Sequence, residues 1–172
     1  MQSTNQSKTG IRYGLAFGGL LVGYGIVFRY AGLDFKSAWT YLFYVILAAG
    51  SLLSMVALRS ATGGLAFQAG LRTGSLTAAI GGGIYSLYVF VFNRFVDDSL
   101  LVALAEHYRT TLAASGVEGA RLERVMRVVE TVTEPGIFAA VVFAQMLAVG
   151  LAVTLVAALV LRRGPVAAPV SS

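Results

Sequence analysis

Glu106, His107 and Arg109 fall within four residues of one another. An imidazole between a carboxylate and a guanidinium could act as an acid–base group or a metal ligand. The same pattern fits a solvated surface histidine. The chain has one histidine and no cysteine, so it cannot assemble a zinc or haem site from the usual ligands. Asp97, Asp98, Glu106 and Glu118 could offer oxygens to a cation, but their spacing is that of no calcium loop, and capping or solvation explains them equally. Gly81-Gly82-Gly83 could in principle cradle a phosphate. It lacks the Lys-Ser/Thr that follows such a loop and lies inside an apolar run. The remaining polar candidates are Ser51, Ser54, Ser75, Thr77, Ser86, Gln145 and Thr154. Gln145 is the most unusual, because its amide could contact a partner or substrate or join two helices within an apolar medium. The residues assemble no catalytic constellation, and no cofactor or metal site follows from them.

The elements that position these residues are set by composition. Of 172 residues, 57% are hydrophobic and 12% charged, against about 45–50% and about 25% in soluble domains. Mean hydropathy is +0.77. A soluble domain this small could not bury so much apolar surface, and a disordered chain would be polar. An integral membrane protein remains. A span needs about 20 mostly apolar residues. Tyr13–Phe28, Ser37–Leu58, Thr73–Asn93 and Pro135–Leu161 carry no charge over 16, 22, 21 and 27 residues. They predict four transmembrane helices near 11–31, 38–59, 72–95 and 136–161. The first needs Arg29 to reach back to the interface along its stem. Read as a secretory signal peptide, it lacks a convincing small-x-small cleavage site.

Charge placement predicts orientation. With the N-terminus in the cytoplasm, the inner segments hold Lys8, Arg12, Arg59, Arg72, Arg162 and Arg163 and no acid. The outer segments hold seven cations and all eight acids. Positive charge near short inner loops favours N-in, C-in. The net charge of +5 therefore points to membrane topology, not to nucleic acid. Eleven arginines against two lysines suit interfacial anchoring, and a GC-rich genome accounts for them as well.

The remaining segments read as follows. Residues 1–10 and the tail 164–172, with Pro165 and Pro169, are polar and expected to fray in the cytoplasm. The first loop, near 32–37, is short. The second, 60–71, holds Leu65-Ala66-Phe67-Gln68, expected as an interfacial helix or turn. Trp39, Tyr41 and Tyr44 fit an interfacial aromatic belt. The third loop is a helical hairpin near 98–133. Asp98 is expected to cap a helix from Ser99, in which Leu100, Leu101, Leu104, Ala105, Tyr108 and Leu112 share a face. Gly116 is expected to close it in a left-handed turn. A second helix over 118–132 carries Leu122, Val125, Met126, Val128, Val129 and Val132, with Glu123, Arg127 and Glu130 spaced to pair. Pro135 suits the first turn of the fourth span. Leu104, Tyr108, Leu112, Val125 and Val129 are the hairpin residues expected to meet a neighbouring helix, the bilayer or a partner.

Glycine supplies the candidate packing surfaces. Gly14, Gly18 and Gly25 share a helix face, Gly19 and Gly23 form a second pair, and Gly74 and Gly81 align in the third span. Such stripes let backbones approach closely in lipid. They suit either contact between the first and third spans or an oligomer interface.

The order of parts resembles a family of small bacterial membrane proteins, domain-of-unknown-function family 4199. The resemblance spans roughly residues 10–163. It rests on the glycine-rich first span, on Gly-Gly-Leu-Ala-Phe-Gln-Ala-Gly-Leu-Arg-Thr-Gly at 63–74, on the aromatic stretch 85–95, on the charged hairpin, and on Glu134-Pro135. Asn93-Arg94-Phe95-Val96-Asp97 departs from the Asn-Pro pair common near the end of the third span. The resemblance implies a bacterial inner-membrane protein and carries no activity.

The fold expected is an all-α membrane protein, with four transmembrane helices and an extracytoplasmic helical hairpin between the third and fourth. The function expected is a non-enzymatic accessory or structural subunit of a membrane complex or homo-oligomer, whose partners are the lipid bilayer and other membrane subunits or itself. A small transporter or channel for an uncharged or lipid-like solute is the alternative. It would need the span hydroxyls and Gln145 to converge on a cavity.

Overall fold

Gly10, Gly14, Gly18, Leu21, Gly25 and Phe28 are all buried. Their spacing of three or four residues is the period of one helix face. They lie on α1 (Gln2–Tyr30). The structure, a computed structural model, describes residues 2–31 and 38–161. After α1 come a 3-10 turn at Ala38–Tyr41, α2 (Leu42–Thr62), α3 (Phe67–Phe95), α4 (Ser99–Ala114), α5 (Gly119–Val132) and α6 (Pro135–Leu161). Four helical stretches are long and apolar enough to cross a membrane: Gln6–Tyr30, Leu42–Thr62, Phe67–Phe95 and Pro135–Leu161. Exposed Leu15, Val27, Leu53, Leu87, Val156 and Val160 are what hydrocarbon would cover on a multi-pass membrane protein. The first loop, Arg162, Arg163 and the 164–172 tail lie outside the described residues.

The chain divides into two units, Met1–Tyr85 with Ala144–Ser172, and Ser86–Phe143. In the first unit, α1 packs on α2. There Gly50 makes room for Phe17, whose Cγ lies 2.7 Å from where a Cβ on Gly50 would be. Met55, Leu58, Leu65, Ala157 and Ala158 form a buried cluster. Phe43 gathers Tyr24, Phe28 and Tyr85 at ring distances of 4.7, 5.6 and 5.0 Å, and the Tyr24 hydroxyl donates to the Trp39 carbonyl at 2.8 Å.

One expectation fails in this unit. Residues 2–10 are helical, not frayed. Gly10 is held against α3, its carbonyl 3.3 Å from Thr77 Oγ1. Of the helix or turn expected in the 60–71 segment, the structure has the turn, at 63–66. α2 runs to Thr62 and ends on Gly63, whose φ of 70° is left-handed, a conformation glycine adopts without a Cβ clash. Leu65 is buried in the cluster, and α3 starts at Phe67.

In the second unit, α4 and α5 pack together, with Leu101 and Met126 their buried residues. Gly116 has φ 78°. Its N–H donates to the Ala113 carbonyl and that of Val117 to the Leu112 carbonyl, at 3.0 and 3.1 Å, the paired bonds of a Schellman ending. Asp98 makes no capping bond. Asp97 Oδ1 accepts from the Ser99 N–H at 2.9 Å instead. Glu123, Arg127 and Glu130 are exposed and form no ion pair among the described residues. The gain from an exposed pair barely exceeds the cost of ordering its side chains.

Candidate functional site

The helix-packing glycines serve different partners. A Cβ on Gly14 would lie 2.7 Å from Ile80 Cβ, and one on Gly18 would lie 2.8 Å from Ile84 Cδ1. These two therefore set contact between the first and third spans of one chain. Gly81 lies opposite them, 3.6 Å from the Gly14 carbonyl by the same measure. Gly25 is buried on the same face. Gly74 belongs elsewhere: its Cβ would meet Thr154 Cγ2 of α6 at 2.6 Å and Met55 Sδ of α2 at 3.0 Å. Gly19 and Gly23 face open space.

A small-residue crossing on α3 and α6 escaped sequence reading. Gly74 faces Thr154, and Ala78 faces Gly150 so closely that a Cβ on Gly150 would overlap the Ala78 methyl. Both helices use a four-residue repeat, and the pairs run antiparallel. The repeat was visible in each segment, but not which segment it met.

Three of the span hydroxyls are absorbed by backbone. Ser54 donates to the Ser51 carbonyl at 2.7 Å, Thr77 to the Thr73 carbonyl at 2.9 Å, and Ser86 to the Ala139 carbonyl. Such bonds keep a hydroxyl satisfied without water. Ser51 Oγ, Thr73 Oγ1 and Thr154 Oγ1 are buried without a partner.

Gln145 differs from all of these. It is exposed and makes no side-chain hydrogen bond among the described residues. It lies ten residues beyond Pro135, about 15 Å along α6, which is near the middle of a hydrocarbon core about 30 Å thick. Ala144, Ala148 and Ala152 are exposed around it.

On the hairpin, Leu104, Leu112, Val125 and Val129 are half-buried, while Tyr108 is exposed. Val102, Val128 and Val132 are exposed as well. His107 is exposed, with the Tyr108 ring 6.2 Å away. Among the described residues, no three of the His, Asp and Glu side chains come together as a metal site. Glu106 and Arg109 do meet other charged groups, around a cavity of 420 Å³ whose wall does not include His107. α3 contributes Asn93 and Arg94 to it, the turn before α4 Asp98, α4 Leu101, Glu106 and Arg109, and α5 Met126 and Glu130. The sequence hinted at this cavity only through an asparagine beside an arginine at a span's end.

A family model described as "Protein of unknown function (DUF4199)" matches residues 12–163. No curated protein and no solved structure matches the chain.

Proposed function

We propose, on the premise that the chain belongs to the DUF4199 family of proteins of unknown function, that it is a non-enzymatic subunit of a membrane complex or homo-oligomer. Its setting in this reading is the bacterial cytoplasmic membrane. Both termini lie inside and the α4–α5 hairpin outside. The distribution of charge supports that orientation, because the acids crowd onto the hairpin and its flanks while the charges flanking the second loop are two arginines, Arg59 and Arg72.

The observation that carries the reading is Gln145. An amide in hydrocarbon without a partner is costly, and pairing across helices is worth about 0.6–2 kcal/mol. Exposed on α6, Gln145 has no partner among the described residues, which favours one outside them. The surrounding alanines let another helix approach closely. The exposed apolar residues of the hairpin, Val102, Tyr108, Val128 and Val132, offer a second contact outside the spans.

A photo-reactive side chain at Ala148, one turn from Gln145, tests this in native membranes. A discrete protein adduct, whether a second copy or another subunit, is expected. Labelling of lipid alone, both there and at Leu151, would contradict the reading.

A further inference from the structure

Helix α6 carries two side chains with hydrogen-bonding groups, Gln145 and Thr154. Thr154 is fully buried on the side that meets Gly74 of α3. Gln145 is exposed and has no hydrogen-bond partner among the described residues. It lies about 15 Å along α6 from Pro135. In a hydrocarbon core about 30 Å thick, neither water nor a lipid headgroup comes within reach of its side chain there. Its amide holds two N–H donors and one carbonyl acceptor, and leaving them unanswered in hydrocarbon is costly.

The surface beside the amide is shaped for a helix. Ala144, Ala148 and Ala152 are exposed and recur every four residues. They form one ridge that drifts by about 40° at each step, and Gln145 stands about 60° round the helix from Ala148. Small residues at this spacing let two helices cross closely at about −40°, with Gln145 at the edge of the seam. Helix α1 supplies a contrast. Gly19 and Gly23 also face open space, but the hydroxyl of Tyr24, next to Gly23, is taken by the Trp39 carbonyl. Small residues alone do not say what covers them. On α6 the amide does.

We infer that the face formed by Ala144, Gln145, Ala148 and Ala152 is covered by the same face of a second copy of this chain. This rests on reading Gln145 as a group satisfied by association, and it names the associate. Depth favours a copy. Copies inserted in one orientation, as their shared charge pattern dictates, set Gln145 level with its equivalent across a two-fold axis normal to the membrane. An unrelated helix would need a polar group at that same depth. The chemistry favours a copy as well. An amide is its own complement: the NH₂ of each Gln145 donates to Oε1 of the other, and the pair of bonds closes on itself, as a two-fold contact requires. The alanine ridge is self-complementary in the same way.

The test uses the full chain in its own membranes and exploits the lack of cysteine. Ala148→Cys, oxidised with copper phenanthroline, is expected to give a disulfide-linked species of twice the 18.1 kDa chain. Leu53→Cys, exposed on α2, controls for chance collision and is expected to give at least ten-fold less. Fluorescence transfer between labelled copies in lipid vesicles then reads the amide. Gln145→Leu is expected to raise the dissociation constant about three- to thirty-fold, and Gln145→Asn, which keeps an amide, to raise it much less. Equal disulfide yield at the two cysteines, or unchanged association in Gln145→Leu, would overturn the inference. A photo-adduct at Ala148 that holds only a different protein would overturn it and leave the subunit reading intact. Labelling of lipid alone would overturn both.

Discussion

A Cβ placed on Gly14 would come within 2.7 Å of Ile80 Cβ, so α1 and α3 touch where no side chain larger than hydrogen fits. Gly14→Ala and Gly18→Ala are expected to destabilise the protein by about 1–3 kcal/mol through overpacking. Gly19→Ala and Gly23→Ala, on the open face of the same helix, are expected to be neutral or slightly stabilising, because alanine is the better helix former by about 0.5–1 kcal/mol. Thermal unfolding of the four variants in one detergent checks the contrast. Equal effects at all four positions would contradict the assigned faces.

The α3–α6 crossing makes a reciprocal prediction. Gly150→Ala should clash with the Ala78 methyl and lower the unfolding midpoint. Adding Ala78→Gly should restore most of the loss, a coupling of about 0.5–3 kcal/mol for residues in contact. Additive losses in the double variant would show that the two residues do not meet.

Helix α4 begins where the sequence suggested, but the carboxylate that meets its first N–H belongs to the preceding acid. Asp98 stands where a cap is expected, yet Asp97 accepts the Ser99 N–H. Asp97→Ala is expected to cost about 0.5–2 kcal/mol and Asp98→Ala only a few tenths. Amide hydrogen exchange at the start of α4 reads this directly, with faster exchange expected in the first variant only.

Orientation is open to a clean chemical test, since the chain has no cysteine. Ser115→Cys on the hairpin should react with a membrane-impermeant maleimide in intact cells. Ala61→Cys, at the end of α2, should react only after permeabilisation. The opposite pattern would invert the topology.

Much of the architecture was legible before any coordinates. The spans show as charge-free runs, the hairpin as two apolar periodicities, and its turn as Gly116, because each signal is local. What escaped was set by tertiary context. Gly74 aligns with Gly81 along α3 but serves α6 and α2 instead of α1, and sequence spacing does not say which helix stands opposite. Leu65 looked interfacial because its fragment is amphipathic, yet the core of the first unit takes it in. Asn93 closed an uncharged run and stood out only where the chain departs from an Asn-Pro pair. Its bond to Val89 is visible only in the fold, and the charges around it come from three helices.

The central claim is that this protein works by association within the membrane. Native mass spectrometry of the chain released directly from its own membranes tests it most directly. The account predicts an assembly heavier than the single 18.1 kDa chain, holding a second copy or a defined protein partner, which Gln145→Leu weakens. A lone 18.1 kDa species in both wild type and variant would contradict it.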